Sequence, residues 1–432
     1  MRTANLSREA IRAWWLGRSR GKGFMESSTA EIVTLRNAAE TLLAQHFGRP
    51  IRLRLEPLAR SDKSAVLRGH LIGSPSDLPS TVFVKHHLPS EGPEWEGHDQ
   101  QRLLNDWTAC LLLNHVGGVP PLAPQLFGGD AGANVLVMED LGPGTGPNTG
   151  DLLMGSDPDL AAQGLLEGCA LLGRLHGATL GRADEYQAIR SSLGPSPSPR
   201  PLFKEPWSSA RRTRSDDAEV ERVVQDYHAQ FARVGIAPQP RVEDEIAQVT
   251  ALVEEEPGPY LAFCKGDQNM AGDFLRCGER LRLFDFDASG FRHALIEGMP
   301  GRMTWGCMMH IPDRLLPEME RVYQAELARW LPEAADDDRF HRAMADAGAR
   351  WHVFHVVWRV SAALTADWQR GPSTARQQVL AWLDSFAGLS EEFGRWRALG
   401  RSAREMAERL RAIWPEVAPL PHYPAFAGQG QP

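Results

Sequence analysis

The chain of 432 residues has few cysteines, and no two of them form a CxxC pair. They are odd in number and widely scattered: Cys110, Cys169, Cys264, Cys277 and Cys307. Neither a disulfide framework nor a zinc site is therefore expected, and a reducing compartment fits this usage best.

The sequence also lacks a long apolar run and an excess of positive charge. No stretch approaches the roughly 20 apolar residues that a membrane-spanning helix needs, and the N-terminus contains no signal-peptide core. The formal net charge is −8, whereas a protein that binds nucleic acid needs a basic face for phosphate contacts. These absences predict a cytoplasmic protein that binds neither membranes nor nucleic acid, and they leave its oligomeric state open.

A change of periodicity near residue 140 divides the chain into two parts. Two lobes are also expected from the length, because 432 residues exceed what one hydrophobic core usually supports. In the first part, a capping box at 28–31 predicts a helix that ends at Gly48. Runs of alternating or apolar residues then predict strands. The runs are 51–55, 65–72, 81–85 and 135–142, with a helix over about 100–115 before the last of them.

Beyond residue 140 the pattern is mainly helical, with one strand pair within 272–287. The predicted fold class is α+β, with a small antiparallel sheet in the first lobe and a large, mainly helical second lobe. The predicted boundaries are an N-terminal extension at 1–27, a small lobe at 28–140, a helical lobe at 141–425 and a tail at 426–432. The acidic run at 254–256 is expected to form a solvated face.

Two aspartates at the ends of neighbouring apolar segments are the strongest candidates for chemistry. Asp267 follows the apolar run 260–264, and Asp285 stands at the end of the second strand of the pair. Phosphoryl transfer needs one carboxylate to orient or deprotonate the attacking hydroxyl and another to hold Mg²⁺ against a triphosphate. Taken singly, Asp267 could merely begin a turn and Asp285 could be an edge residue. An aspartate between two phenylalanines is costly to bury without a cation, which favours metal binding by Asp285.

Weaker candidates lie in the small lobe and just after it. Lys85 ends a strand and could reach triphosphate oxygens, provided that a carboxylate such as Asp106 holds it. In isolation, both residues would more often be solvated. Glu139 and Leu141 belong to a connector whose backbone could hydrogen-bond an adenine edge. His176 is expected to be a buried structural histidine.

Taken in order, these motifs resemble the aminoglycoside phosphotransferase and choline kinase superfamily, whose fold is that of protein kinases. The similar motifs are Phe83-Val84-Lys85, Asn105-Asp106-Trp107, Val137-Met138-Glu139-Asp140-Leu141, Gly173-Arg174-Leu175-His176, Gly266-Asp267 and Leu283-Phe284-Asp285-Phe286-Asp287. The resemblance implies a bilobal kinase-like fold, ATP or GTP and Mg²⁺ as cofactors, and transfer of the γ-phosphate to an alcohol. The alcohol would be a small molecule such as an aminoglycoside, choline or a sugar. Asp267 would be the base or orienting group, with Asp285 and a possible second ligand, Asp273, for the metal.

The sequence departs from the family pattern in three places. Lys265 stands where the family loop has histidine, and Gly272 stands where it has a metal-binding asparagine, so that Asp273 or Asn269 would have to supply the missing oxygen. Aspartate replaces glutamate at position 106. The turn between the first two strands has no glycine, so phosphate contacts there would come from the side chains of Ser61, Lys63 and Ser64.

These departures keep a second hypothesis open. The chain could be a catalytically impaired kinase-like protein that serves as a nucleotide-binding or regulatory module. A protein kinase is disfavoured, because no Ala-Pro-Glu segment follows Asp285.

Overall fold

The computed structural model describes residues 29–61, 63–73, 76–89, 97–116, 120–142, 144–195, 217–266, 273–299, 301–303, 309–370 and 372–428. Asp267, the loop residues 268–272 and the N-terminal extension 1–27 lie outside these ranges.

Strands and helices are mixed as far as residue 139, and the chain is mainly helical beyond it. The first part contains α1 (Thr29–Phe47), β1 (Leu53–Arg60), β2 (Ser64–Leu71), β3 (Thr81–His87), α2 (His98–His115), β4 (Leu126–Asp130) and β5 (Val135–Glu139). The middle part contains α3 (Thr149–Leu153), α4 (Pro158–Thr179), α5 (Ala183–Ser192), α6 (Asp217–Arg233), α7 (Val242–Thr250), β6 (Leu261–Cys264), β7 (Phe274–Cys277), β8 (Arg280–Leu283) and β9 (Gly290–His293). The last part contains α8 (Leu316–Ala328), α9 (Asp337–His355), α10 (Ser361–Thr365), β10 (Gln369–Arg370), β11 (Ser373–Thr374), α11 (Ala375–Glu392) and α12 (Arg397–Ile413).

The first five strands form one antiparallel sheet in the order β1-β2-β3-β5-β4. This architecture confirms the α+β class, with the sheet in the N-terminal part and a mostly helical remainder. The edge strand β4 was not predicted, because Gly128 and Gly129 have low strand propensity. Gly129 makes room for a neighbour instead: a Cβ atom there would lie 2.6 Å from the ring of Trp107 on α2.

The two faces of the sheet belong to two different hydrophobic clusters. Successive strand residues point to opposite faces, so Val135 and Val137 pack with α1, whereas Leu136 and Met138 pack with α2. The cluster on the α2 side continues without a break into the helical lobe, where it includes Phe263 on β6. The small lobe therefore shares one of its cores with the large lobe.

The helical lobe packs α4 against α8 and α11 against α12. Among the described residues, no helix combines the length and the apolar character that crossing a bilayer requires. The prediction of a solvated acidic face is wrong for Glu254, whose side chain is 2% exposed and ion-paired with Arg350. The pattern missed this because the partner is distant in sequence. Phe426, placed by sequence in the tail, is buried.

His352 on α9 is a buried base whose titration should affect stability in acid. Its Nε2 lies 2.9 Å from the Tyr227 hydroxyl, and its ring stacks on Phe386. Burial lowers the pKa of His352 to about 3, whereas a histidine in an unfolded chain titrates near ~6.5. Between these two pKa values the unfolded chain takes up the proton first. His352 should therefore withdraw about 1.4 kcal/mol of stability per pH unit as the pH falls through this window.

We expect the variant His352→Gln to show a flatter fall of unfolding free energy with decreasing pH than the unmodified chain. Urea unfolding followed between about pH 4 and pH 7 measures both slopes. Identical slopes in the two proteins would contradict the assignment of a neutral buried imidazole.

Candidate active site

Lys85 is held between two carboxylates where the two lobes meet. Its Nζ donates hydrogen bonds to Asp106 Oδ2 and to Asp285 Oδ1, each at 2.5 Å. Lys85 reaches them because it lies on the face of β3 opposite Val82 and Val84, which pack with α1. Asp106 follows Leu103 by three residues, which puts it on the buried stripe of α2.

The charges of this cluster depend on one another. Burial would lower the pKa of Lys85, but Asp106 and Asp285 outweigh it and raise that pKa well above its ordinary value. Burial would raise the pKa of Asp106, yet the Lys85 ammonium holds it below the ordinary value. All three groups are therefore charged at neutral pH, and removing Lys85 or Asp106 would leave a buried charge without its closest partner, whereas removing the open Asp285 leaves Lys85 paired with Asp106.

Asp106 also connects the small lobe to the segment after β8. Its Oδ1 accepts a hydrogen bond of 2.6 Å from the backbone N–H of Phe286. The neighbouring Asn105 donates from Nδ2 to the carbonyl oxygen of Asp287 at 2.9 Å. The short side chain of Asp106 thus reaches both Lys85 and the backbone beside Asp285.

Asp285 has an unusual backbone and an open side chain. Its φ of 66° lies in the left-handed region, which few residues other than glycine adopt and which is enriched at functional sites. Its side chain is 46% exposed, although the surroundings are dense enough for desolvation to raise its pKa. The charges of Lys85 and then of Lys265 outweigh that effect and keep the pKa below its ordinary value. An exposed group in dense surroundings is expected on the floor of a cleft.

The donor set around Asp285 fits a hard divalent cation. Burial, followed by the negative charge of Asp285, raises the pKa of Asp287. Two carboxylates that repel each other present the oxygen ligands that Mg²⁺ prefers, and a cation between them would relieve the repulsion. The positive charge of Lys63 also influences Asp287, because it partly offsets the rise in the pKa of that carboxyl group.

The loop that leads to Asp267 begins against the segment that follows Asp285. Gly266 has a φ of 95°, and a Cβ atom there would lie 2.0 Å from the carbonyl oxygen of Ala288. Only glycine fits this position. The residue before Asp267 and the residues after Asp285 are therefore in direct contact, although Asp267 itself lies outside the described residues.

Glu297 holds the start of this loop, and the sequence analysis did not single it out. Its carboxylate accepts hydrogen bonds from the backbone N–H groups of Lys265 at 2.9 Å and Gly266 at 2.5 Å. His176 Nε2 lies 3.4 Å from the same carboxylate, and its Nδ1 lies 2.7 Å from the Tyr323 hydroxyl. His176 is buried and hydrogen-bonded, which confirms the structural role predicted for it. The sequence feature that could have pointed to Glu297 is its position as the single acid within the otherwise uncharged run 294–299.

We expect Glu297→Gln to lower the free energy of unfolding by about 1–3 kcal/mol, because one loop N–H loses its acceptor. It should also lower kcat by about a hundredfold, since small displacements of a catalytic group have effects of this size. Nucleotide affinity should change little. Urea unfolding, turnover and nucleotide titration measure the three quantities. The control is Glu320→Gln, a buried glutamate paired with Arg302; an equal loss of kcat in both variants would contradict the positioning role.

Lys265 and Asp273 form an ion pair across the loop. Lys265 Nζ lies 2.9 Å from Asp273 Oδ2, and the lysine side chain is only 1% exposed. Asp273, the candidate second metal ligand, therefore already faces an ammonium group.

The glycine-free turn between β1 and β2 is organised by its own side chain. Ser61 Oγ accepts hydrogen bonds from the backbone N–H groups of Lys63 and Ser64, both at 3.1 Å. The hydroxyl of Ser61 is thus used within the turn, which leaves Lys63 as the charged group that faces the acidic cluster.

The connector after β5 is fixed by ion pairs on both sides. Glu139 accepts from Arg282 Nη1 at 2.9 Å and from Arg282 Nη2 at 2.8 Å, which joins it to β8. Asp140 accepts from Arg68 Nε on β2 at 2.5 Å. The side chain of Glu139 therefore holds the connector in place, and Leu141 follows as a half-buried residue.

The structure brings some of the predicted site residues together at the junction of the two lobes. Lys85 contacts both Asp106 and Asp285, and the charge of Lys63 acts on Asp287. Asp273 is paired with Lys265, and Asp267 lies outside the described residues.

Many of the solved structures similar to this chain are small-molecule phosphotransferases. An ethanolamine kinase from Plasmodium vivax is 12% identical over 94% of this chain and 95% of its own, with a TM-score of 0.44. An aminoglycoside phosphotransferase from Alicyclobacillus acidocaldarius is 14% identical over 90% and 99%, with a TM-score of 0.44. A choline kinase from Cryptosporidium parvum is 9% identical over 84% and 90%, with a TM-score of 0.41.

The chain matches no protein-family model and has no significant match among curated proteins.

Proposed function

We propose that the chain is an ATP- or GTP-dependent phosphotransferase that moves the terminal phosphoryl group to a hydroxyl of a small molecule. One observation carries this proposal: Lys85 is clamped between Asp106 and Asp285, two acids from opposite sides of the junction between the lobes. A lysine fixed in this way presents its charge to the phosphates of a nucleotide, and the open Asp285 faces the same space.

Each residue then has a distinct task. Lys85 binds and orients the phosphates, and Asp106 keeps its ammonium in place. Asp285 and Asp287 would hold Mg²⁺, which would neutralise charge on the phosphate oxygens. Lys63 adds positive charge from the β1–β2 turn. Asp267 accepts the proton of the attacking hydroxyl, and Glu297 positions the loop on which Asp267 stands. Catalysis in this arrangement is mostly positioning and charge neutralisation.

The substrate class proposed is a small hydroxylated molecule of the aminoglycoside, choline or sugar type. The connector fixed by Glu139 and Asp140 supports the nucleotide side of the site, where the backbone of Glu139 and Leu141 would bind the base. The chain's net charge of −8 suits a cationic substrate.

A second candidate is a kinase-like module that binds nucleotide without transferring phosphate. The observation that favours it is the ion pair of Lys265 with Asp273, because this pair occupies the place of a metal-binding side chain.

Thermal unfolding with ATP or GTP, with and without Mg²⁺, followed by an ATP-consumption assay on a panel of alcohols, separates the two functions. The phosphotransferase should be stabilised by the nucleotide with Mg²⁺ and should consume ATP in the presence of one class of alcohol. Asp267→Asn should abolish that consumption. Stabilisation without turnover on any alcohol, together with no effect of Asp267→Asn on slow hydrolysis, would favour the binding module.

A further inference from the structure

The ion pair of Lys265 and Asp273 is more deeply buried than the carboxylate of Asp285. The side chain of Lys265 is 1% exposed and that of Asp273 is 18% exposed, with Nζ and Oδ2 2.9 Å apart. Asp285 is far more open, with 46% of its side chain exposed. Both carboxylates face an ammonium group, because Lys85 Nζ donates to Asp285 Oδ1 at 2.5 Å. They differ in that Asp285 is open to solvent and Lys85 keeps Asp106 as a second partner, whereas Asp273 is largely covered.

A buried ammonium group requires a carboxylate beside it, because an unpaired charge is very costly to remove from water. Asp273 supplies that carboxylate. A divalent cation bound to Asp273 would stand next to the ammonium of Lys265. Like charges repel strongly where water is excluded, so the two cations would compete for the same oxygen atoms.

Lys265 also acts on the open site. Burial would raise the pKa of Asp285, and the charges of Lys85 and then of Lys265 lower it. The charge of Lys265 therefore acts on Asp285 as well as on Asp273, with which Lys265 is in direct contact.

We propose that the Lys265 ammonium takes the place of a second metal ion, so that the chain binds its nucleotide with a single divalent cation. Asp285 with Asp287 holds this cation, and Asp273 is the counterion of Lys265 instead of a metal ligand. The inference rests on the proposed function, since it concerns the cation that accompanies the nucleotide. With the positive charge supplied by lysine at position 265, the loop would need neither a second metal ion nor a metal-binding side chain at position 272.

Counting Mn²⁺ ions per bound nucleotide tests the proposal without any measurement of turnover. The full-length protein is dialysed to equilibrium against Mn²⁺ and a non-hydrolysable ATP analogue. Free Mn²⁺ is then measured by electron paramagnetic resonance, and bound nucleotide by absorbance. We expect one Mn²⁺ per nucleotide in the unmodified chain and in Lys265→Arg, which keeps the cation.

Removing the ammonium should open the second position. Lys265→Met is expected to bind two Mn²⁺ per nucleotide, because it frees Asp273. The double variant Lys265→Met/Asp273→Asn removes both charges and is expected to return the count to one. Thermal unfolding without metal shows whether each variant is folded.

Two ions per nucleotide in the unmodified chain would overturn the proposal, even if Lys265→Met failed to fold. One ion in a folded Lys265→Met would overturn it as well. Absence of any Mn²⁺-dependent nucleotide binding would instead remove the proposed function itself, and the two failures are therefore distinguishable.

Discussion

Replacing Asp285 by asparagine is expected to lower the rate of phosphoryl transfer by at least about a thousandfold, equivalent to about 4 kcal/mol of transition-state stabilisation. The amide has the shape of the carboxylate but lacks the charge that holds a divalent cation. Asparagine also tolerates the left-handed backbone that Asp285 adopts at a φ of 66°. The loss should therefore concern turnover and metal binding, with little change in backbone strain.

Steady-state kinetics with Mg²⁺ and ATP, paired with urea unfolding, measures both effects. Asp285→Ala should be as inactive as Asp285→Asn, but it should also lose about 1 kcal/mol of stability, because alanine does not favour a positive φ. Asp384→Asn serves as the matched control, since Asp384 is a half-exposed acid paired with Arg411. Activity near that of the unmodified chain in Asp285→Asn would refute the metal assignment.

Lys85→Met should lower the free energy of unfolding by about 3–5 kcal/mol and should also abolish nucleotide binding. The reason for the first effect is Asp106, whose side chain is 2% exposed and would keep its charge without the ammonium that balances it. The reason for the second is the loss of the cation that faces the phosphates. Because Lys85 is buried between two carboxylates, both effects are expected to be large.

A double variant separates the two effects of Lys85. In Lys85→Met/Asp106→Asn no buried charge is left unbalanced, and the asparagine Oδ1 can still accept from the N–H of Phe286. Most of the lost stability should return in urea unfolding, while nucleotide titration should still detect no binding. Recovery of nucleotide binding in the double variant would contradict the role of Lys85, and full stability in Lys85→Met would contradict the coupling to Asp106.

The sequence was sufficient for the fold class, because the periodicity of apolar residues changes clearly near residue 140. It also located α1, α2, β7 and β8, whose ends carry turn or capping residues. It missed β4, because two glycines interrupt the strand pattern there. Gly129 is required by the close approach of the Trp107 ring, which leaves no room for a Cβ atom. Local patterns report how one segment packs, and they miss a residue whose choice is dictated by another segment.

The same reason explains what the sequence could and could not predict about the site. Lys85 and Asp285 were proposed because each stands at the end of an apolar segment, and Asp106 was proposed as the carboxylate that could hold Lys85. Glu297 was missed because its partners are backbone N–H groups about 30 residues away. Its carboxylate does not differ in sequence from that of a surface glutamate.

The face of the small sheet that packs with α2 has a consequence for the order of folding during synthesis. Its apolar residues share a cluster with Phe263, Phe286 and other residues of the second lobe, and Asp106 completes its hydrogen bonds only with the backbone at Phe286. When the ribosome has released the first 140 residues, one side of the sheet can pack against α1 and the other against α2, but the cluster on the α2 side still lacks its residues from the second lobe. We therefore expect the newly made first lobe to remain an incomplete, chaperone-dependent species until about residue 290 has emerged.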